Sequence, residues 1–140
     1  MKKAILILNF VLTANVFAAE AFYCINDNLH ELSTGKIVRE VQKSDGGGCA
    51  EVVKKAKDGL YCAGDYESDN GSLREVRTGK ELRFMFSMGD GCKSALSTAR
   101  GGFYCRGYYL KNLRTGESVR TMSREHDGRD CDEVLRASSL

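Results

Sequence analysis

The chain has no Cys-x-x-Cys pair, only two histidines, and neither proline nor tryptophan. A zinc site built on singly spaced cysteines would have to draw on His30 and His126, and no ligand-like spacing supports one. No metal or cofactor is therefore expected. Gly-x-Ser-x-Gly, His-Glu-x-x-His and a phosphate-binding loop are all missing, so the sequence offers no motif for serine hydrolysis, zinc proteolysis or nucleotide binding. Asp65-x-Glu67-x-Asp69-Asn70-Gly71 sets acids at alternate positions, as a calcium loop does. Its Gly comes one residue late, however, and Val76 stands where the twelfth-position Glu belongs. An acidic surface loop is the simpler reading.

Long apolar runs are scarce too. The one that exists is N-terminal: Met1-Lys2-Lys3, then Ala4 to Leu8, a softer stretch to Phe17, and Ala18-Ala19. Two positive charges, an apolar run and small residues before a polar one make a secretory signal peptide, expected over 1–19. The run is too short to span a bilayer, and Asn9 and Asn15 would sit in lipid. No membrane span is expected after cleavage. Large net charge is also lacking. The chain has 21 Lys plus Arg against 19 Asp plus Glu; Lys2 and Lys3 leave with the signal, and 19 face 19. A balanced chain has no electrostatic reason to seek nucleic acid.

What the sequence does contain is six cysteines in order. An even count in a short exported chain points to disulfides in a periplasmic or secreted protein. Cys24, Cys62 and Cys105 each end an aromatic or apolar triplet: Phe22-Tyr23, Leu60-Tyr61 and Phe103-Tyr104 precede them. Cys49, Cys92 and Cys131 each follow an Asp/Gly-rich stretch. Between them stand Leu32-Ser33-Thr34-Gly35, Val76-Arg77-Thr78-Gly79 and Leu113-Arg114-Thr115-Gly116. The same three signatures recur at steps of 37 to 44 residues, which is internal repetition. The expected organisation is a single domain over 20–140 with repeats 20–58, 59–101 and 102–140.

Each repeat reads as strand, hairpin and helix, an α+β unit. The Tyr-Cys triplet is a short strand. The Thr-Gly pair is a hairpin turn needing positive φ. Leu29 and Val41, Leu73 and Met85, and Leu110 and Met122 sit symmetrically about the turn glycines, as cross-strand partners would. Cys49, Val52, Val53 and Ala56, with their counterparts after Cys92 and Cys131, trace one helical stripe. Asp45, Asp90 and Asp130 are candidate caps. Asn70-Gly71 suggests an extra turn in the longer loop of the second copy.

Two disulfide schemes treat all copies alike. One staples each unit to itself: Cys24–Cys49, Cys62–Cys92, Cys105–Cys131. The other joins Cys49–Cys62 and Cys92–Cys105, with Cys24–Cys131 closing a ring. The constant helix-to-strand spacing of 13 residues favours the ring, and with it a closed, pseudo-threefold arrangement. In such a ring Arg39, Arg83 and Arg120, each four residues past a turn glycine, would converge on an anionic ligand. The plainer alternative is cross-strand pairing with Glu31 and Glu75, while Asn112 faces Arg120. Tyr23, Tyr61 and Tyr104 are expected in the core, whereas Tyr66, Tyr108 and Tyr109 break the repeat and are candidate contacts for a sugar or a protein.

The function expected is a non-enzymatic binding or inhibitor module for a protein or a cell-envelope glycan. It would present the loop from Gly64 to Ser72. Two alternatives stand beside it: a small secreted hydrolase using His30 and His126, which would have to share a cleft, and a structural envelope protein.

Overall fold

Alternation along the Tyr-Cys triplets, and the glycines around them, decide how the chain folds. The computed structural model describes residues 21–65, 68–87 and 90–139. The expected signal peptide and Tyr66 lie outside the described residues. In the first unit the strands are β1 (Phe22–Ile25), β2 (Asn28–Glu31) and β3 (Ile37–Glu40), followed by a 3-10 turn, Lys43–Asp45, and helix α1 (Cys49–Lys55). The second has β4 (Leu60–Asp65), β5 (Asn70–Glu75), β6 (Glu81–Met85) and α2 (Cys92–Thr98). The third has β7 (Phe103–Arg106), β8 (Tyr109–Asn112), β9 (Ser118–Thr121), a four-residue α3 (Arg124–Asp127) and α4 (Cys131–Ala137). Each trio of strands is its own antiparallel sheet in sequential order. The repeated strand–hairpin–helix unit is thus present three times.

The Thr-Gly turns form as the sequence implies. Gly35, Gly79 and Gly116 take φ of 70°, 71° and 76°, a region costly for residues with a Cβ. Their amides each donate at 2.8 Å to the carbonyls of Glu31, Glu75 and Asn112. The register differs from the symmetric one expected. A bulge in each second hairpin sets Leu29 opposite Arg39, Leu73 opposite Arg83 and Leu110 opposite Arg120. The extra residue moves Val41, Met85 and Met122 past their leucines. They remain buried, but no longer as cross-strand partners. Asn70-Gly71 lies within β5, not at a turn, because β4 and β5 run longer than their counterparts.

Helices α1 and α2 carry their apolar stripes between two sheets. Helix α1 packs on β1 of its own unit and β4 of the next; α2 packs on β4, β5 and β7; α4 packs on β7. Sheets and helices therefore alternate in a row. One buried cluster joins Leu29, Val41, Cys49 and Val52 to Tyr61 and Val76 of the second unit. The other joins Leu73, Met85, Cys92 and Leu96, among others, to Tyr104 and Leu113 of the third. Burying such side chains stabilises by roughly 1.5–3 kcal/mol each, so the cores of the first two units each depend on two residues of the unit that follows.

The disulfides are Cys24–Cys49, Cys62–Cys92 and Cys105–Cys131, which overturns the ring scheme. The reason is the two-residue period of a strand. Tyr61 faces back onto the first unit's core, so Cys62 faces the other way, toward α2. A helix cysteine therefore meets its own sheet and not the following one. The sheets are not closed on one another either. With every cysteine bridged, the chemistry suits an oxidising compartment.

Of the three candidate caps, only Asp130 serves, accepting from the Glu133 amide at 2.9 Å. Asp45 and Asp90 turn to arginines instead. The first turn of α2 is capped from 24 residues away by Asp69, whose Oδ1 accepts the Lys93 amide at 2.7 Å. A side chain at Gly91 would overlap that carboxylate. Among the described residues no helix is long and apolar enough to cross a membrane.

Candidate functional site

The arginine four residues past each turn glycine ties one unit to the next. Arg39 Nε donates to the Val76 carbonyl at 2.9 Å and Arg83 Nε to the Leu113 carbonyl at 3.2 Å. Each guanidinium lies on the turn glycine of the following unit. A Cβ at Gly79 would stand 3.1 Å from Arg39 Nη1, and one at Gly116 would overlap Arg83. These glycines are thus needed both for their backbone and for the room they leave. An acid backs each arginine: Arg39 lies 3.6 Å from Asp45 and Arg83 3.9 Å from Asp90. A second ion pair flanks each junction, Glu31 with Arg77 at 2.5 Å and Glu75 with Arg114 at 3.5 Å.

The two junctions differ in one respect. Tyr104 donates its hydroxyl proton to Asp90 Oδ2 at 2.6 Å and accepts from Arg83 Nη2 at 2.8 Å. Lys111 Nζ also reaches Asp90, at 3.0 Å. Burial works to raise the Asp90 carboxyl, but the hydrogen bonds from Tyr104 and Lys111 outweigh it and hold the group below the usual carboxylate range. Burial first, and then its bond to Asp90, push the Tyr104 phenol up to about 12. At the first junction the Tyr61 hydroxyl is buried with no hydrogen-bond partner. Asp45 stands four residues before its helix cysteine, whereas Asp90 stands two before, and it does not reach.

At the ends of the row the same parts occur without their complements. Arg120 donates to Asp127 Oδ1 at 2.9 Å and its side chain is 57 % exposed. At the other end, Leu32 occupies the position of Val76 and Leu113. Those two are 0 % and 2 % exposed, and Leu32 is 62 %. Ile37, where the other units carry Glu81 and Ser118, is also 62 % exposed, and Ile25 lies open nearby. Tyr23 stacks on His30 at 5.0 Å. A Cβ at Gly35 would meet only the Tyr23 hydroxyl, at 3.6 Å. The outer face of the first sheet is thus an aliphatic surface with an unfilled arginine cradle.

The sequence-derived candidates fall apart from one another. Among the described residues Arg39, Arg83 and Arg120 bond to Val76, Leu113 and Asp127 respectively; they stand at successive positions along the row and do not surround one point. The proposed partners of the first two, Glu31 and Glu75, pair instead with Arg77 and Arg114 of the next unit. Tyr108 and Tyr109 are exposed at the β7–β8 hairpin. His30 is buried in the first sheet, its Nδ1 3.0 Å from the Gly35 carbonyl, while His126 is exposed on α3 of the third unit; among the described residues no hydrogen bond or ring contact links them. Among the described residues no cluster of His, Cys, Asp and Glu is arranged to hold a metal. A cleft of about 300 Å³ lies beside the Cys62–Cys92 bridge, with Lys55, Lys57, Lys93 and Leu96 on its walls. Lys57 is engaged there with the Ser97 and Ala99 carbonyls.

Sequence reasoning missed the open face of the first sheet. The signal was available in Ile25 and Ile37, aliphatic where one or both other units are polar. Comparisons of the chain with protein-family models, with curated proteins and with solved structures find no match.

Proposed function

We propose that the chain is an exported, non-enzymatic binding module that docks a protein through the outer face of its first sheet. The observation that carries this reading is the exposure of Leu32, whose counterparts Val76 and Leu113 are buried within junctions, beside an exposed Ile37 that is aliphatic where the other units carry Glu81 and Ser118. Exposed apolar patches mark interaction sites. Aliphatic groups favour a protein over a glycan, which stacks on flat rings. Inhibition of an exported hydrolase is one form the binding could take. The N-terminal signal and the three bridges support export. The separation of His30 from His126 weighs against the hydrolase alternative, which needs both in one cleft.

The test uses oxidised chain recovered after export and immobilised against envelope extract and culture medium. Ile37→Glu copies the residue of the second unit and leaves the fold intact, and it should abolish capture of the partner retained by the wild type. Undiminished capture by the variant, or a hydrolytic activity lost on changing His30 or His126, overturns the reading.

A further inference from the structure

We infer that the occupant of this face is the third unit of a second copy, so that the exported chain associates head to tail. The inference rests on the docking role proposed above and names the partner. The two junctions inside the chain state what such an interface requires, and the two ends supply it. The first requirement is an arginine backed by an acid. Arg120–Asp127 at 2.9 Å repeats Arg39–Asp45 and Arg83–Asp90, and the Arg120 side chain is left 57 % exposed. The second is a turn glycine open to receive the guanidinium, which Gly35 offers. The third is an apolar residue before the turn, filled by Leu32.

The flanking charges agree with this. At each internal junction a glutamate of one unit meets an arginine of the next. Across an intermolecular junction the equivalent positions are Asn112 and Ser33. Both are uncharged, so docking strands no charge, which would be costly. Asn112 is already engaged locally, its Oδ1 accepting from the Arg114 amide at 2.9 Å. The core argument points the same way. The first two units each complete a buried cluster with a Tyr and an aliphatic residue from their successor. Tyr23 and Leu32 hold those two positions in the first unit, where Leu32 lies open instead of buried. Because the two surfaces differ, the interface is heterologous. It propagates into open chains unless its rotation closes a ring.

The experiment is sedimentation of the oxidised, exported chain over rising concentration. The expected result is a mass that grows past the dimer. Leu32→Asp blocks the head and Arg120→Glu the tail; each variant alone should be monomeric, its association weakened at least tenfold. Mixed, they should form a one-to-one dimer and nothing larger, because one retains a working tail and the other a working head. A wild type that stays monomeric to about 1 mM overturns the inference. If that monomer still captures an envelope protein through the Ile37 face, the docking role survives alone; if it captures nothing, both fall. Growth in mass that neither substitution affects also overturns it.

Discussion

Tyr61 and Tyr104 occupy the same position in successive units, both buried, yet only one has hydrogen-bond partners. Replacing each with phenylalanine therefore measures a polar network against an internal control. Tyr104→Phe removes the donor to Asp90 at 2.6 Å and the acceptor of Arg83 at 2.8 Å. Hydrogen bonds to charged groups contribute about 1.5–3 kcal/mol each. The full sum is not lost, because Asp90 keeps Lys111 and Arg83 keeps the Leu113 carbonyl. The expected cost is about 2 kcal/mol, roughly a 30-fold fall in the folding constant. Tyr61→Phe removes a buried hydroxyl that has no partner. Relief of its desolvation should leave stability unchanged or raise it by up to about 1 kcal/mol. Urea unfolding of the two oxidised variants, with unchanged slopes, gives both numbers. Equal losses, or a larger loss for Tyr61→Phe, would refute the reasoning that the Asp90 position separates the two junctions.

The covalent staples give a second prediction. Sequence separations of 25, 30 and 26 residues correspond to about 3.5 kcal/mol of loop-closure stabilisation each, together comparable to a domain's whole stability. Reduction should unfold the chain, and a non-reducing peptide map should join Cys24 to Cys49; a reduced chain that keeps its near-UV signal contradicts this. The third prediction concerns pH. The folded carboxyl of Asp90 lies below its unfolded value, so its contribution is present above about pH 4 and is lost as pH falls through the folded value. Asp90→Asn should flatten the stability profile in that acid window. Tyr104, raised to about 12, contributes below its unfolded value of about 10, and that contribution is lost as pH rises toward 12. Tyr104→Phe should remove this part of the alkaline loss in an unfolding series.

Much of the unit was legible in the residues because its determinants are local. Gly35, Gly79 and Gly116 need positive φ wherever they stand, the stripe from Cys49 to Val53 has a helical period, and Asp130 caps the helix that begins one residue later. Asp69 was not legible as the cap of α2, since its partners lie some 24 residues on and only the extended β4–β5 hairpin brings them together. The disulfides were limited by symmetry to two schemes, and spacing pointed to the wrong one. Thirteen residues suffice to return the chain, but spacing does not say which face of the returning strand meets the helix. That choice fell to Tyr61, whose burial against the first unit turns Cys62 away. The sequence alone determined that one unit recurs three times and that its cysteines are oxidisable in pairs, because repetition and turn chemistry are written residue by residue. Only the tertiary structure decided that the units stack in an open row and do not close, because stacking depends on which side of each sheet the neighbouring core covers.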